Sequence, residues 1–345
     1  MFGLFTRKEK KSLFQPVRQN ELWFTSDGSQ SRSIGHSLAD IELPIQLNQL
    51  TTIQDGFSRF NWKFLFESLT QLSDTQQQQL DTPELSNYFQ GFWLNELNAQ
   101  LGQNYSLNQS DNFILLSAKN DRQLKLIFSF LESAYQRILM TLNGIAKSRQ
   151  EDKLSVILFT DIESYYRYIA YYYPEDGEYQ MSSGCFLNEG LGHFALPDTD
   201  MSSLESVVAH ELTHALVNHL NIPLWLNEGL AVNTEIAITG YSPYLLNSQK
   251  HNKHVNYWNE KTVQEFWFGS SFSKPGDASE LSYQLAQLLV HSLSENFEQF
   301  SRFVNQAEYQ DAGEAAAIKI FGGSLGDLIE SIYGEGEWAP KLDFK

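Results

Sequence analysis

Helical and extended periodicities alternate along this chain, and they are clearer after residue 110 than before it. Residues 1 to about 45 are polar and weakly patterned. Apolar residues recur at helical spacing from Trp62 to Leu69 and from Leu85 to Leu97, around a polar tract, Asp74–Gln79, that reads as a solvated helix face or loop. After the polar stretch Gly102–Asn112, the run Phe113–Leu116 predicts a strand and a boundary. A long helix follows from about Arg122 to Ile145. Leu154–Phe159 has the pattern of a buried strand and Tyr165–Tyr173 that of a packed helical segment stopped by Pro174. Residues Cys185 to Leu196 alternate as an exposed or edge strand ending at Pro197.

Strands set ahead of helices in this way predict an α+β fold. The expected divisions are a mostly helical region over 1–110, a catalytic core over 111–240 and a helical lobe over 241–345.

The next helix carries the candidate chemistry. Ser202 and Glu205 fit a capping box ahead of the apolar stripe Leu204, Val208, Leu212 and Leu216, and Asn221 with Pro223 supplies the stop. Within it lies His210-Glu211-Leu212-Thr213-His214. At the helical pitch the two imidazoles stand roughly 40° apart around the axis and about 6 Å along it, so both can reach one metal ion. His219 falls about 140° away from His214 and faces elsewhere. Pro223-Leu224-Trp225-Leu226-Asn227-Glu228-Gly229-Leu230-Ala231 follows at once, so a short turn can fold a second helix back and bring a carboxylate to the pair. Two imidazoles and one carboxylate leave a tetrahedral position open, as catalytic zinc requires. His251 and His254, beside Lys250 and Lys253, read as a polar surface turn.

Composition narrows the choice further. With 42% hydrophobic and 14% aromatic residues among 345, the chain has ample material for a core. Its net charge of −18 repels phosphate backbones and anionic lipid over a Debye length of about 8 Å, which disfavours nucleic acid as a partner. The one cysteine, Cys185, excludes an internal disulfide and a thiolate-rich zinc site. The basic cluster Arg7, Lys8, Lys10 and Lys11 follows the apolar start instead of preceding it, and no run approaches a membrane span, so a cytoplasmic chain without membrane insertion is expected.

His-Glu-Leu-Thr-His followed by Trp-Leu-Asn-Glu-Gly-Leu-Ala resembles the gluzincin metallopeptidases, especially their peptidase MA-like branch, over about residues 150–300. The spacer of 13 residues between His214 and Glu228 is shorter than in the large aminopeptidases of that group. The resemblance implies a zincin-like core made of a small sheet with an edge strand, a motif helix and a glutamate-bearing helix. It implies zinc held by His210, His214 and Glu228, with Glu211 as general base and a peptide or protein as substrate. Glu235 becomes a candidate partner for the distal N–H of a ligand histidine. Gly192, His193, Phe194 and Ala195 become the strand that pairs with extended substrate, and Tyr283 the donor to the transition state. No Gly-x-Met-Glu-Asn segment is present to hold a free amine, although Glu189 could substitute, so internal peptide bonds are the expected targets. A hydrolase of a non-peptide bond and a noncatalytic zinc-binding interaction module are the alternatives.

Overall fold

The computed structural model describes residues 15–16, 49–71, 83–102, 104–149, 152–172, 183–240 and 248–344. The polar tract Asp74–Gln79 and most of residues 1–45 lie outside these. The protein is a mixed structure of small sheets and many helices, as an α+β class requires. It divides into two compact units, each drawn from three stretches of chain. The first takes residues 1–133, 150–175 and 187–198, and the second 134–149, 176–186 and 199–345. This division cuts across the expected boundaries at 110 and 240. The physical reason is the sheet, which gathers strands from segments far apart in sequence.

In the first unit, strands β1 (Gln15–Pro16), β4 (Ser106–Gln109), β5 (Phe113–Ser117), β6 (Leu154–Phe159) and β8 (His193–Pro197) belong to a six-stranded sheet; of its last strand, β7 (Cys185–Leu187), only Leu187 falls in this unit. The order is β1-β4-β5-β6-β8-β7. Pairing is antiparallel from β1 to β5 and parallel from β5 through β6 to β8, with Val156 opposite Phe194 in register. All residues of β5, β6 and β8 are buried, which accounts for the unbroken apolar runs where a one-faced strand would alternate. A separate hairpin joins β2 (Thr51–Gln54) to β3 (Phe57–Phe60). Its turn, Asp55-Gly56, has positive φ at both residues (53° and 81°), the geometry of a type I′ connection. Helices α1 (Trp62–Leu69) and α2 (Pro83–Leu101) follow the expected periodicity. Helix α3 (Asp121–Thr141) runs from the first unit into the second, and α4 (Ile162–Ile169) is capped by Asp161, whose side chain accepts from the Ser164 N–H.

The second unit is helical. Its centre is α5 (Met201–Val217), α6 (Leu224–Thr239) and α9 (Asp277–Leu293), with α7 (Ser248–Tyr257) and α8 (Glu260–Trp267) between α6 and α9 in sequence, and α10 (Phe297–Val304), α11 (Glu314–Phe321) and α12 (Leu325–Tyr333) closing the chain. Asp200, not the expected Ser202, caps α5 and accepts from the Ser203 N–H at 3.1 Å. A carboxylate satisfies the orphan donor and meets the positive end of the helix dipole together, which a serine hydroxyl does not. Helix α6 crosses α9 at Gly229, where an added Cβ would stand 2.6 Å from the Ala286 carbonyl oxygen. That close approach sets the depth at which α6 presents its polar residues. Among the described residues, no helix is long and apolar enough to cross a membrane.

Candidate metal centre

Helix α5 presents His210 and His214 one turn apart, with ring centroids 4.9 Å apart. The connection Asn218–Pro223 reverses the chain, and α6 brings Glu228 back to them. Glu228 Oε2 stands 3.2 Å from His210 Nε2 and 3.5 Å from His214 Nε2. The three side chains are the one group of His, Cys, Asp and Glu among the described residues able to hold a metal, with donor atoms within 4.8 Å of one another.

The donors suit zinc on two counts. They are two nitrogens and one carboxylate oxygen, and zinc bonds of about 2.0–2.1 Å in tetrahedral geometry put neighbouring donors roughly 3.4 Å apart, close to the spacings found. The far nitrogens are also held. Glu235 Oε2 lies 3.3 Å from His210 Nδ1, and Asn227 Oδ1 lies 3.0 Å from His214 Nδ1. Each acceptor holds an Nδ1 proton, so Nε2 is the nitrogen turned toward Glu228. The Ser206 hydroxyl donates to the other oxygen of Glu235.

In the metal-free chain the electrostatics put protons where a metal would bind. Burial by itself would lower His210, but hydrogen bonds with Glu228 and Glu235 outweigh it and raise this imidazole to about 10. Burial likewise opposes the charged form of His214, and the Glu228 carboxylate overcomes it. Burial would raise Glu228, yet His214 and His210 hold it well below the usual carboxylate range. In the metal-free chain Glu228 therefore holds the imidazoles in their charged form, and a metal ion would have to displace those protons.

Glu211 sits half-buried beside this group, and its partial burial raises it above the ordinary glutamate value against the pull of His214 and His210. The Phe186 N–H donates to Glu211 Oε2 at 2.7 Å. One carboxylate oxygen is thereby anchored.

Tyr283, on α9, reaches the same place: its ring centroid is 6.4 Å from that of His210, and Phe272 packs edge-on against its other side at 5.3 Å. The structure thus brings together His210, Glu211, His214, Glu228, Glu235 and Tyr283.

It does not support the expected substrate strand. Gly192 precedes β8, and His193, Phe194 and Ala195 lie within it, fully buried, with β6 on one side and β7 on the other, so no backbone edge is open there. His193 Nε2 is bonded to the Tyr168 hydroxyl at 2.8 Å, and burial, reinforced by Arg59, drives this imidazole down to about 3. The alternation Cys185–Leu196 conceals a break at Asn188–Gly192, and β7, not β8, is the edge strand at this end of the sheet. His254 is corrected as well. It is buried on α7, accepts the Trp258 indole N–H on Nδ1 at 2.9 Å and meets Gln284 through Nε2 at 2.8 Å.

Asn227, Ser206 and the Phe186 N–H escape sequence reasoning. Asn227 carried a signal in adjoining Glu228 within the second motif, whereas Ser206 and Phe186 become neighbours of the site through tertiary packing alone. No family model matches the chain, and no curated protein matches it.

Proposed function

We infer that the chain is a zinc-dependent hydrolase of peptide bonds, built on a zincin-like core and preferring internal bonds of a peptide or protein substrate. The observation that carries this reading is the convergence of His210, His214 and Glu228 around one point, with the half-buried Glu211 carboxylate alongside. Zinc held there supplies a Lewis acid for the scissile carbonyl and makes water a nucleophile near neutral pH.

The chain's own residues do the remainder. Glu211 Oε2 is occupied by the Phe186 N–H, so Oε1 is the atom that accepts a proton from the attacking water. Burial makes this carboxylate a stronger base than an exposed glutamate, and the same oxygen can return the proton to the leaving nitrogen. Glu235 and Asn227 orient the two imidazoles, and Tyr283 is the candidate donor toward the oxygen on which negative charge develops.

The test pairs metal analysis with a peptide-library cleavage assay on the wild type and on Glu211→Gln. The expected result is about one zinc per chain in both proteins, with cleavage at internal bonds in the wild type alone. Full cleavage by Glu211→Gln would remove this mechanism, and release of single N-terminal residues would exclude the internal-bond preference.

A further inference from the structure

Arg59, on β3 in the first unit, is 3% exposed, and its Nε, Nη1 and Nη2 atoms find no hydrogen-bond partner. Its guanidinium carbon lies over four rings, at 4.4 Å from the centroid of Tyr168, 4.5 Å from Tyr171, 5.3 Å from Tyr172 and 5.4 Å from Phe57. Those rings cover the cation with their negative faces, but a π-face offers no lone pair to an N–H. The nearby hydroxyls are already engaged, Tyr168 with His193 at 2.8 Å and with Tyr172 at 3.3 Å, and the Tyr172 hydroxyl also lies close enough to Arg59 to feel its guanidinium. Glu189 is close enough to feel the Arg59 charge but forms no hydrogen bond with it. A second cation stands across Phe57, where the Arg167 guanidinium carbon is 5.1 Å from the ring centroid.

A buried guanidinium with no counter-charge hydrogen-bonded to it is costly, and its planar fork of donors matches the paired oxygens of a carboxylate or phosphate. Local positive charge within a chain of net charge −18 means that only a built site would hold an anion here. The way in is marked by Tyr171, which is 39% exposed while Tyr168 is fully buried.

We propose that Arg59, walled by Tyr168, Tyr171 and Tyr172, is a binding site for one small oxyanion of the carboxylate or phosphate type. The site lies within the first unit and does not depend on the hydrolase reading.

Calorimetric titration of the full chain with sodium phosphate, and separately with sodium acetate, at ionic strength held constant with sodium chloride, tests this. One saturable site per chain for either anion is expected, and which anion binds identifies the ligand type. Arg59→Lys, which keeps the charge and loses the fork, should weaken binding by about tenfold or more. Tyr171→Ala, at an exposed ring, provides a second variant if substitution at Arg59 unfolds the chain, and it should change the affinity. His214→Ala separates this site from the metal centre and should leave binding intact. No saturable binding of either anion overturns the proposal, as does unchanged affinity in Arg59→Lys and Tyr171→Ala, or loss of binding in His214→Ala.

Discussion

Glu235 Oε2 faces His210 Nδ1 at 3.3 Å from a position seven residues beyond Glu228 on the same helix. Two turns of α6 therefore supply both a donor to the centre and the group that aims one of its imidazoles. With Ser206 holding the other carboxylate oxygen, Glu235 is itself fixed in place. Substituting Glu235→Ala should lower zinc affinity by about 10–100-fold while the chain remains folded. Competition with a chelator of known affinity measures it, and unchanged affinity would mean that Asn227 and packing suffice to orient both rings.

His214→Ala removes one of three donors and should abolish stoichiometric zinc. Its far-UV spectrum should match that of the wild type, because His214 is partly accessible at 15% and packs at the edge of the site instead of in the core. Elemental analysis after dialysis decides it, and retention of about one zinc per chain would place the metal elsewhere.

Gly229→Ala probes how α6 is seated. The new methyl would lie 2.5 Å from Val290 Cγ2 and 2.6 Å from the Ala286 carbonyl oxygen, and backbone cannot rotate away as a side chain can. Overpacking of this kind costs about 1–3 kcal/mol. The melting temperature should fall, and because Glu228 is the adjacent residue, zinc affinity should fall with it. A variant with wild-type stability and affinity would show that α9 yields freely.

Much of this site was legible in the sequence because helical geometry is local. The spacing of His210 and His214 puts both rings on one face whatever surrounds them, and Pro223 marks where the chain turns back. The hairpin at Asp55-Gly56 was also written in its turn residues, although the weak alternation of Thr51–Phe60 hid it. The sheet was harder. Whether β8 is an edge depends on β7 pairing beside it, and a buried run reads the same in the middle of a sheet as at its rim. His254 looked exposed beside Lys250 and Lys253, since its partners Gln284 and Tyr333 are 30 and 79 residues away.

In the zinc-free chain, His210 is raised to about 10 from an unfolded value near 6.5. A raised folded value contributes stability that is fully present below about pH 6.5 and lost as pH climbs toward 10. Denaturant titrations of the zinc-free chain across that range should show falling stability, and His210→Asn should flatten the trend. Zinc bound at the proposed centre would take the same nitrogen, so loading at pH 8 should release protons, measurable in a pH-stat. Loading without proton release would show that His210 is already neutral.

Tyr283 is the residue whose role separates geometry from chemistry most sharply. It lies on α9 offset from the buried stripe Leu281, Leu285 and Leu289, is itself only partly buried, and places its ring 6.4 Å from His210. Phe272 against its other side restricts the ring, so the hydroxyl has a defined place and little entropy to lose on meeting a charged oxygen. Tyr283→Phe keeps every ring contact and removes one O–H. If that donor stabilises the developing oxyanion, kcat should fall by about a hundredfold or more with zinc content and melting temperature unchanged. An unchanged KM beside the lowered kcat marks an interaction made in the transition state, whereas a raised KM with normal kcat marks substrate positioning. A Phe variant with wild-type kcat and KM would return Tyr283 to packing against Phe272 and leave the oxyanion to the metal centre.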